Sequence, residues 1–345
     1  MQALLHRFPG LSALPYWPLC TMPTPVTEHV WNERMFLVKR DDLTSPRYGG
    51  NKVRKLAFLL GDLRERGIHR LTTVGAIGSN HCLATAIHAG DAGFDVELRQ
   101  MPQPVTEHVS ANLRHLAATS ATLRLSAGPV GIGVGLALDH AVKTDWAFVP
   151  AGGSNTVGCL GYVDAALELA QQIEAQLCPA PTRIFVALGS GATQAGLVAG
   201  LHLARLAIPV VGVRVVPGPW IGARRVAGLA NAALKALRQM DRGVAGDGVE
   251  PGDILIDDAQ LGAGYGHPTA AGAAAEAVMR DLCLPTDPTY TSKAFAAMMG
   301  WLSDGHAGRA LFWETLSGAE LDTHAATSGA DLPTPYQQFL SRETP

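Results

Sequence analysis

From residue 52 to residue 313, short apolar runs alternate with segments of helical period. This alternation is what most restricts the fold open to the chain. Lys52–Arg66 carries Val53, Leu56, Leu59, Leu60 and Leu63 at nearly a 3.6-residue spacing, the mark of a helix with one buried face. Arg70–Val74 reads as a strand, and Ser79–Ala92 as a helix with Ser79 as its N-cap. Strand Val96–Leu98, helix Thr106–Ala118, strand Ala147–Val149 and helix Thr156–Ala175 follow. Ile184–Leu188 and Val210–Val216 are apolar throughout and flank a helix at Thr193–Ala207. Helices near Thr269–Arg280 and Ser292–Leu302 precede a last strand, Ala310–Trp313. Apolar strands joined by helices predict parallel sheet, because a parallel crossover needs a covering helix and buries both sheet faces. One sheet would have to be unusually wide, so two are expected. The chain's 345 residues agree with two domains at about 150 residues each.

The net charge of −3 gives no basic excess for nucleic acid or an anionic membrane. Cys20, Cys82, Cys159, Cys178 and Cys283 form no CxxC pair, and their odd number suits a reducing cytoplasm better than a disulfide framework. Ala127–Leu138 is uncharged but too short to span a bilayer. The twelve histidines make no HExxH and no Cys/His cluster, so no metal centre is expected. No GxSxG elbow is present. The tail from His324 is polar and reads as loosely held.

Four segments carry chemistry. Tyr48–Lys55 sets two glycines before a helix start that bears Lys52, with Arg54 and Lys55 close by. Neighbouring positive charge would lower the Lys52 pKa, and a neutral amine is what Schiff-base chemistry requires. The plain alternative is a solvated basic helix end. Thr73–His81 lies between a strand and a helix, at the sheet edge where open α/β proteins bind ligands. There Ser79 and helix N–H groups could hold a carboxylate. The alternative is an ordinary capped helix.

Ile184–Gly196 runs from a buried strand through Gly189-Ser190-Gly191-Ala192-Thr193 into a helix and reads as a phosphate cradle. Leu197 and Val198 exclude a P-loop. The glycine spacing, and the lack of any Asp or Glu between Glu174 and Asp241, speak against a dinucleotide site. Gly262–Thr269 and Asp287–Lys293 each place one tyrosine, Tyr265 and Tyr290, in a loop before a helix. Either tyrosine could stack on a flat ligand or move protons, or serve only as a packing anchor.

In order, these segments resemble the fold-type II, pyridoxal-phosphate-dependent family of D-cysteine desulfhydrase and 1-aminocyclopropane-1-carboxylate deaminase. Pro23-Thr-Pro25, Val38–Leu43, Gly49–Leu56, Gly75–His81, Gly152–Asn155, Gly189–Gly196, Gly264–Thr269 and Tyr290–Lys293 carry the match, over roughly residues 20 to 318. The resemblance implies two open, mostly parallel three-layer α/β/α domains with the active site in the cleft between them. The division expected is 1–50 with 163–345 as the large cofactor-binding domain and 51–162 as the small one. It implies pyridoxal 5′-phosphate as cofactor, a small amino acid as substrate and a homodimer.

It also implies roles. Lys52 is the Schiff-base lysine and the base for the α-proton. Lys55 and the backbone of Gly189, Ser190, Gly191, Ala192 and Thr193 hold the phosphate. Asn80 bonds the phenolic oxygen, and Ser79 faces the substrate carboxylate. Tyr290 stacks near the ring, Tyr265 sits by the reacting carbons, and Thr291 faces the pyridine nitrogen. The deaminase pattern has glutamate at the place of Thr291. A neutral hydroxyl there favours α,β-elimination of D-cysteine or a similar β-substituted amino acid. Ring opening, racemisation and β-replacement remain as alternatives within the family. A non-catalytic binding protein and a nucleotide-dependent oxidoreductase remain as alternatives outside it. Ser292, and Glu314–Gly318 where the deaminases have a His-containing ending, depart from the pattern.

Overall fold

The computed structural model describes residues 3–128, 131–133, 135–137, 145–321 and 332–340. The segment expected to be a loosely held tail, up to residue 331, lies outside them, as does part of Ala127–Leu138. The strands are β1 (Val26–Trp31), β2 (Arg34–Arg40), β3 (Arg70–Ala76), β4 (Asp95–Met101), β5 (Thr122–Leu125), β6 (Trp146–Val149), β7 (Arg183–Leu188), β8 (Val210–Arg214), β9 (Leu255–Asp257) and β10 (Ala310–Glu314). They form a six-stranded sheet of order β1-β2-β10-β7-β8-β9 and a four-stranded sheet of order β5-β4-β3-β6. Every pairing is parallel except β1 with β2.

The helices are α1 (Ala3–Arg7), α2 (Asn51–Glu65), α3 (Asn80–Asp91), α4 (Glu107–Ala117), α5 (Thr156–Glu174), α6 (Ala192–Ala204), α7 (Ala223–Met240), α8 (Ala270–Asp281), α9 (Thr291–Ser303) and α10 (Thr334–Gln337). The expected class, two mostly parallel sheets with covering helices, is the one observed. The smaller sheet draws its strands from within 51–162 and the larger from the rest of the chain. Division into two domains at those bounds is our proposal.

The apolar runs have a structural reason. Along the larger sheet, Phe36, Val38, Phe185 and Phe312 pack with α8 and α9 on one face, in a core that includes Ala275, Met279, Phe295 and Met298. Their strand neighbours Leu37, Ile184, Val186, Leu311 and Trp313 pack with Tyr162, Leu169, Leu197 and Leu201 of α5 and α6 on the other. Successive side chains alternate between faces, so a sheet covered on both sides needs apolar residues at every position.

The antiparallel β1–β2 hairpin was not among the sequence expectations. Its central turn residues, Asn32 and Glu33, have φ of 47° and 62°, the two positive values of a type I′ turn.

Helix α2 sits where the two sheets meet. Gly161 on α5 makes this possible: a Cβ there would lie 2.3 Å from the Arg54 carbonyl oxygen. The first turn of α2 is also bonded to the end of β10, Asn51 N–H donating to the Thr315 carbonyl at 3.0 Å.

Candidate active site

A cavity of about 360 Å³ opens between the C-terminal ends of the two sheets. Val74 and Ala76 at the end of β3, Met101 at the end of β4, Gly189 after β7 and Thr315 after β10 all line it. This is the sheet edge where open α/β folds bind ligands.

Lys52 and Lys55 enter the cavity from the first two turns of α2. They are three residues apart, so they share a helix face. Lys52 Nζ donates to Asn51 Oδ1 at 2.6 Å and lies 5.8 Å from the centre of the Tyr290 ring. Burial lowers its ammonium to about 8, with the Asp287 carboxylate acting the other way. The shift expected from the sequence is present, but its cause is different. Arg54 is two residues on and points away, into carboxylates of its own.

Lys55 is buried, donates to the Gly152 carbonyl at 3.2 Å and lies 5.8 Å from the centre of the Tyr162 ring. Burial first, and the Lys52 charge second, hold it well below the ordinary lysine value. Among the described residues no carboxylate forms an ion pair with either lysine.

Ser79 caps α3 as expected, its hydroxyl accepting from Cys82 N–H at 3.3 Å, and it lines the cavity together with Asn80. His81 is buried behind them, with Nε2 2.8 Å from the Thr73 hydroxyl. That hydroxyl gives its one proton to the Val149 carbonyl at 2.8 Å, so His81 Nε2 is the donor. Burial, and then Lys52 and Lys55, hold the imidazole well below its ordinary value, and it stays neutral.

The loop Gly189–Thr193 forms the opposite wall through Gly189, Ser190, Gly191 and Thr193. Gly191 has φ of 104°, a conformation that favours glycine, and it turns the chain into α6. Ser190 is held by the Ser154 hydroxyl at 2.5 Å, and its carbonyl accepts from Arg225 Nε at 3.1 Å. Asn51 Nδ2 donates to Thr193 Oγ1 at 3.1 Å and ties this loop to α2. Ala192 does not line the cavity.

Tyr265 and Tyr290 both line it, edge to face with ring centres 5.8 Å apart. The Tyr290 hydroxyl donates to the Tyr265 hydroxyl at 3.0 Å, which leaves the Tyr265 proton free for a ligand. Burial pushes the Tyr265 phenol up to about 12, and the bond from Tyr290 offsets part of that.

Asp287, which the sequence reading gave no role, also lines the cavity. Its Oδ1 accepts from the N–H groups of Thr289 and Tyr290 at 2.9 and 2.7 Å, and this fixes the loop that carries Tyr290. Thr291 is buried outside the cavity. Its hydroxyl accepts from Asp287 N–H at 2.8 Å and faces Asp287 Oδ2 at 3.3 Å. Ser292 and Glu314 are buried and do not line the cavity, whereas Thr315 does.

These groups fit pyridoxal phosphate by the chemistry of the donor set. A buried ammonium, Lys55, beside a half-buried one, Lys52, with no ion-paired carboxylate among the described residues, calls for an anion. A helix start behind a glycine turn offers N–H donors to a phosphate. One of the lysines is partly neutral near pH 8 and can meet an aldehyde. A side chain at Gly152 would crowd this wall, since a Cβ there would lie 2.2 Å from Ser190 Oγ.

Comparison with known proteins agrees. Residues 18–310 match the family described as pyridoxal-phosphate dependent enzyme. The chain is 36% identical over 332 residues to the nocardicin C-9′ epimerase of Nocardia uniformis subsp. tsuyamanensis, covering 90% of this chain and 95% of that protein. It is 32% identical over 310 residues to the D-cysteine desulfhydrase of Klebsiella pneumoniae (strain 342), covering 86% and 89%. The crystal structure of an ACC deaminase homologue superposes with a TM-score of 0.75 at 26% identity, over 97% of this chain and 98% of that one.

Proposed function

The chain belongs to the family of pyridoxal-phosphate dependent enzymes, and on that premise we propose that it is a lyase for a small β-substituted amino acid, D-cysteine first among them. The reaction is α,β-elimination: the α-proton and the β-substituent leave, water enters, and a 2-oxo acid, ammonia and the leaving group (sulfide from cysteine) result. The observation that carries the reading is Lys52, a cavity lysine held near 8 with no carboxylate partner among the described residues.

When bound, pyridoxal phosphate supplies an aldehyde carbon for an amine and a ring that spreads negative charge. Lys52 supplies that amine, and its neutral form is the base for the α-proton. Lys55 and the N–H groups of Gly189–Thr193 hold the phosphate. Asn80 donates to the ring oxygen. Ser79 and the N-terminus of α3 orient the substrate carboxylate. Tyr290, which donates to Tyr265, leaves the Tyr265 proton available to a departing thiolate.

Epimerisation is the second reading, favoured by the 36% identical epimerase. It would use the same Lys52 with the tyrosine pair as the second proton carrier. Purified holoenzyme given D- and L-cysteine and D- and L-β-chloroalanine in deuterium oxide separates the two. Ammonia and 2-oxo acid from one enantiomer are expected. Inverted, deuterated amino acid without ammonia establishes epimerisation instead, and neither ammonia nor exchange at the α-carbon overturns both.

A further inference from the structure

Asn80 has its side-chain direction fixed from outside the cavity it lines. The Gly78 carbonyl is an acceptor whose position the backbone sets. The Asn112 amide on α4 approaches it to 2.9 Å, so the near pole of that amide is Nδ2. The same nitrogen lies 2.8 Å from Asn80, and the pole of Asn80 that meets it must therefore be the acceptor Oδ1.

His108, one turn earlier on α4, brings Nε2 to the same Oδ1 at 2.8 Å, so that nitrogen carries the proton. Nε2 and Asn112 Nδ2 lie 3.2 Å apart, as two donors converging on one acceptor would. Reversing Asn80 would set two amide nitrogens 2.8 Å apart with no acceptor between them. With Oδ1 taken by two donors, both hydrogens of Asn80 Nδ2 remain, and they have no partner among the described residues. Helix α4 reaches this turn because position 78 is glycine: a Cβ there would lie 2.5 Å from Val109 Cγ2.

We infer that His108 and Asn112 are positioning residues that hold the Asn80 amide with its N–H groups toward the ring oxygen of pyridoxal phosphate. The inference rests on the reading that Asn80 meets that oxygen. An N–H donor there stabilises negative charge on the oxygen, whereas a reversed amide would face it with a carbonyl. The chain from the Gly78 carbonyl through Asn112 to Asn80 passes a fixed backbone direction to the ligand, as an outer residue does for a metal ligand.

The test uses apoprotein titrated with pyridoxal phosphate, reading the dissociation constant and the visible band of the refilled protein. Asn80→Ala should weaken binding about tenfold, the loss of one hydrogen bond to a charged oxygen, and move the band. The pair His108→Leu with Asn112→Leu should do the same, and should add nothing in an Asn80→Ala background. His108→Gln, which keeps a donor, should restore the wild-type band. Should the Leu pair fail to fold, as judged by the melting of the apoprotein, single His108→Leu takes its place. If the Leu variants weaken binding equally in both backgrounds, or leave binding and band unchanged while Asn80→Ala alters them, the positioning role is wrong and the reading of Asn80 stands. If Asn80→Ala itself changes neither, that reading fails and the inference with it.

Discussion

The two faces of α2 treat positive charge in opposite ways. On one face Arg54 is almost fully buried and fully matched. Its Nε and Nη2 donate to Asp41 at 2.9 and 2.7 Å, and its Nη1 and Nη2 donate to Glu168 at 3.2 and 3.0 Å. Lys39 joins from β2, donating to Gln172 Oε1 and to the Thr24 carbonyl, each at 2.7 Å, and to Glu168 at 2.5 Å. The Asp41 carboxylate also accepts from Tyr162 and Trp313, each at 2.7 Å. Two cations meet two anions, and the remaining lone pairs are filled. On the other face Lys52 and Lys55 are desolvated without a carboxylate partner among the described residues. Desolvation with a counter-charge holds elements together. Desolvation without one lowers an ammonium pKa and leaves room for a ligand's charge.

The largest effect expected from breaking this contrast is at Lys52. Lys52→Ala should cut turnover by about a thousandfold or more, because nucleophile and base are lost together. Borohydride treatment and digestion should then leave the peptide around position 52 without a pyridoxyl mass that wild type carries. Folding should be unaffected, since no ion pair is broken. Retained turnover would sink the assignment.

Next comes the matched face. Glu168→Gln leaves Lys39 and Arg54 with a single carboxylate, and should cost about 3–5 kcal/mol of stability in a urea titration. A loss below about 1 kcal/mol would mean that the network carries little. Lys55→Gln is smaller and opposite in kind. It should weaken pyridoxal phosphate about 10–100-fold, the loss of one charged hydrogen bond, while the apoprotein melts no lower than wild type. A lower melting temperature with unchanged affinity would move Lys55 from the ligand to the framework.

How much of this the sequence disclosed follows from how local each signal is. Helices α2 and α3, the Ser79 cap and the continuous strands were legible because periodicity and capping act within a few residues. The β1–β2 hairpin was not: its strands are partly exposed and its turn, Asn32-Glu33, lacks a glycine. Asn32 was the only cue. β9, with three residues, is too short to leave a pattern.

In the site, the ordered motifs pointed to Lys52, Lys55, Ser79, Asn80, Tyr265 and Tyr290, all of which line the cavity. Asn51, Asp287, His108 and Asn112 were missed. The roles of Asn51 and Asn112 arise from partners 142 and 32 residues away. Counting Arg54 as a neighbour of Lys52 was avoidable, since residues two apart on a helix do not share a face, whereas Lys52 and Lys55, three apart, do and repel each other.

The smallest effect, and the one that reads both faces at once, is the pH dependence of apoprotein stability. Burial pushes the Glu168 carboxyl up, but Arg54 and Lys39 outweigh it and hold the group down at about 2, against an ordinary value of 4.5. The stabilisation it lends is complete above 4.5 and is lost as pH falls from there toward 2. Lys52 gives a slope of the same sign from the opposite cause, the cost of desolvating an ammonium. Its folded value of about 8 lies below the ordinary 10.5, so between these limits the unfolded chain binds the extra proton and stability rises with pH. Lys55, also lowered by burial, adds to that rise. Thermal melts of the apoprotein should therefore fall on the acid side and, measured against a Lys52→Met variant, climb more steeply from pH 8 to 10. Glu168→Gln should flatten the acid fall without removing the alkaline climb. If Lys52→Met leaves the climb unchanged, Lys52 is not desolvated in the free protein, and the two faces of α2 differ less than their contacts indicate.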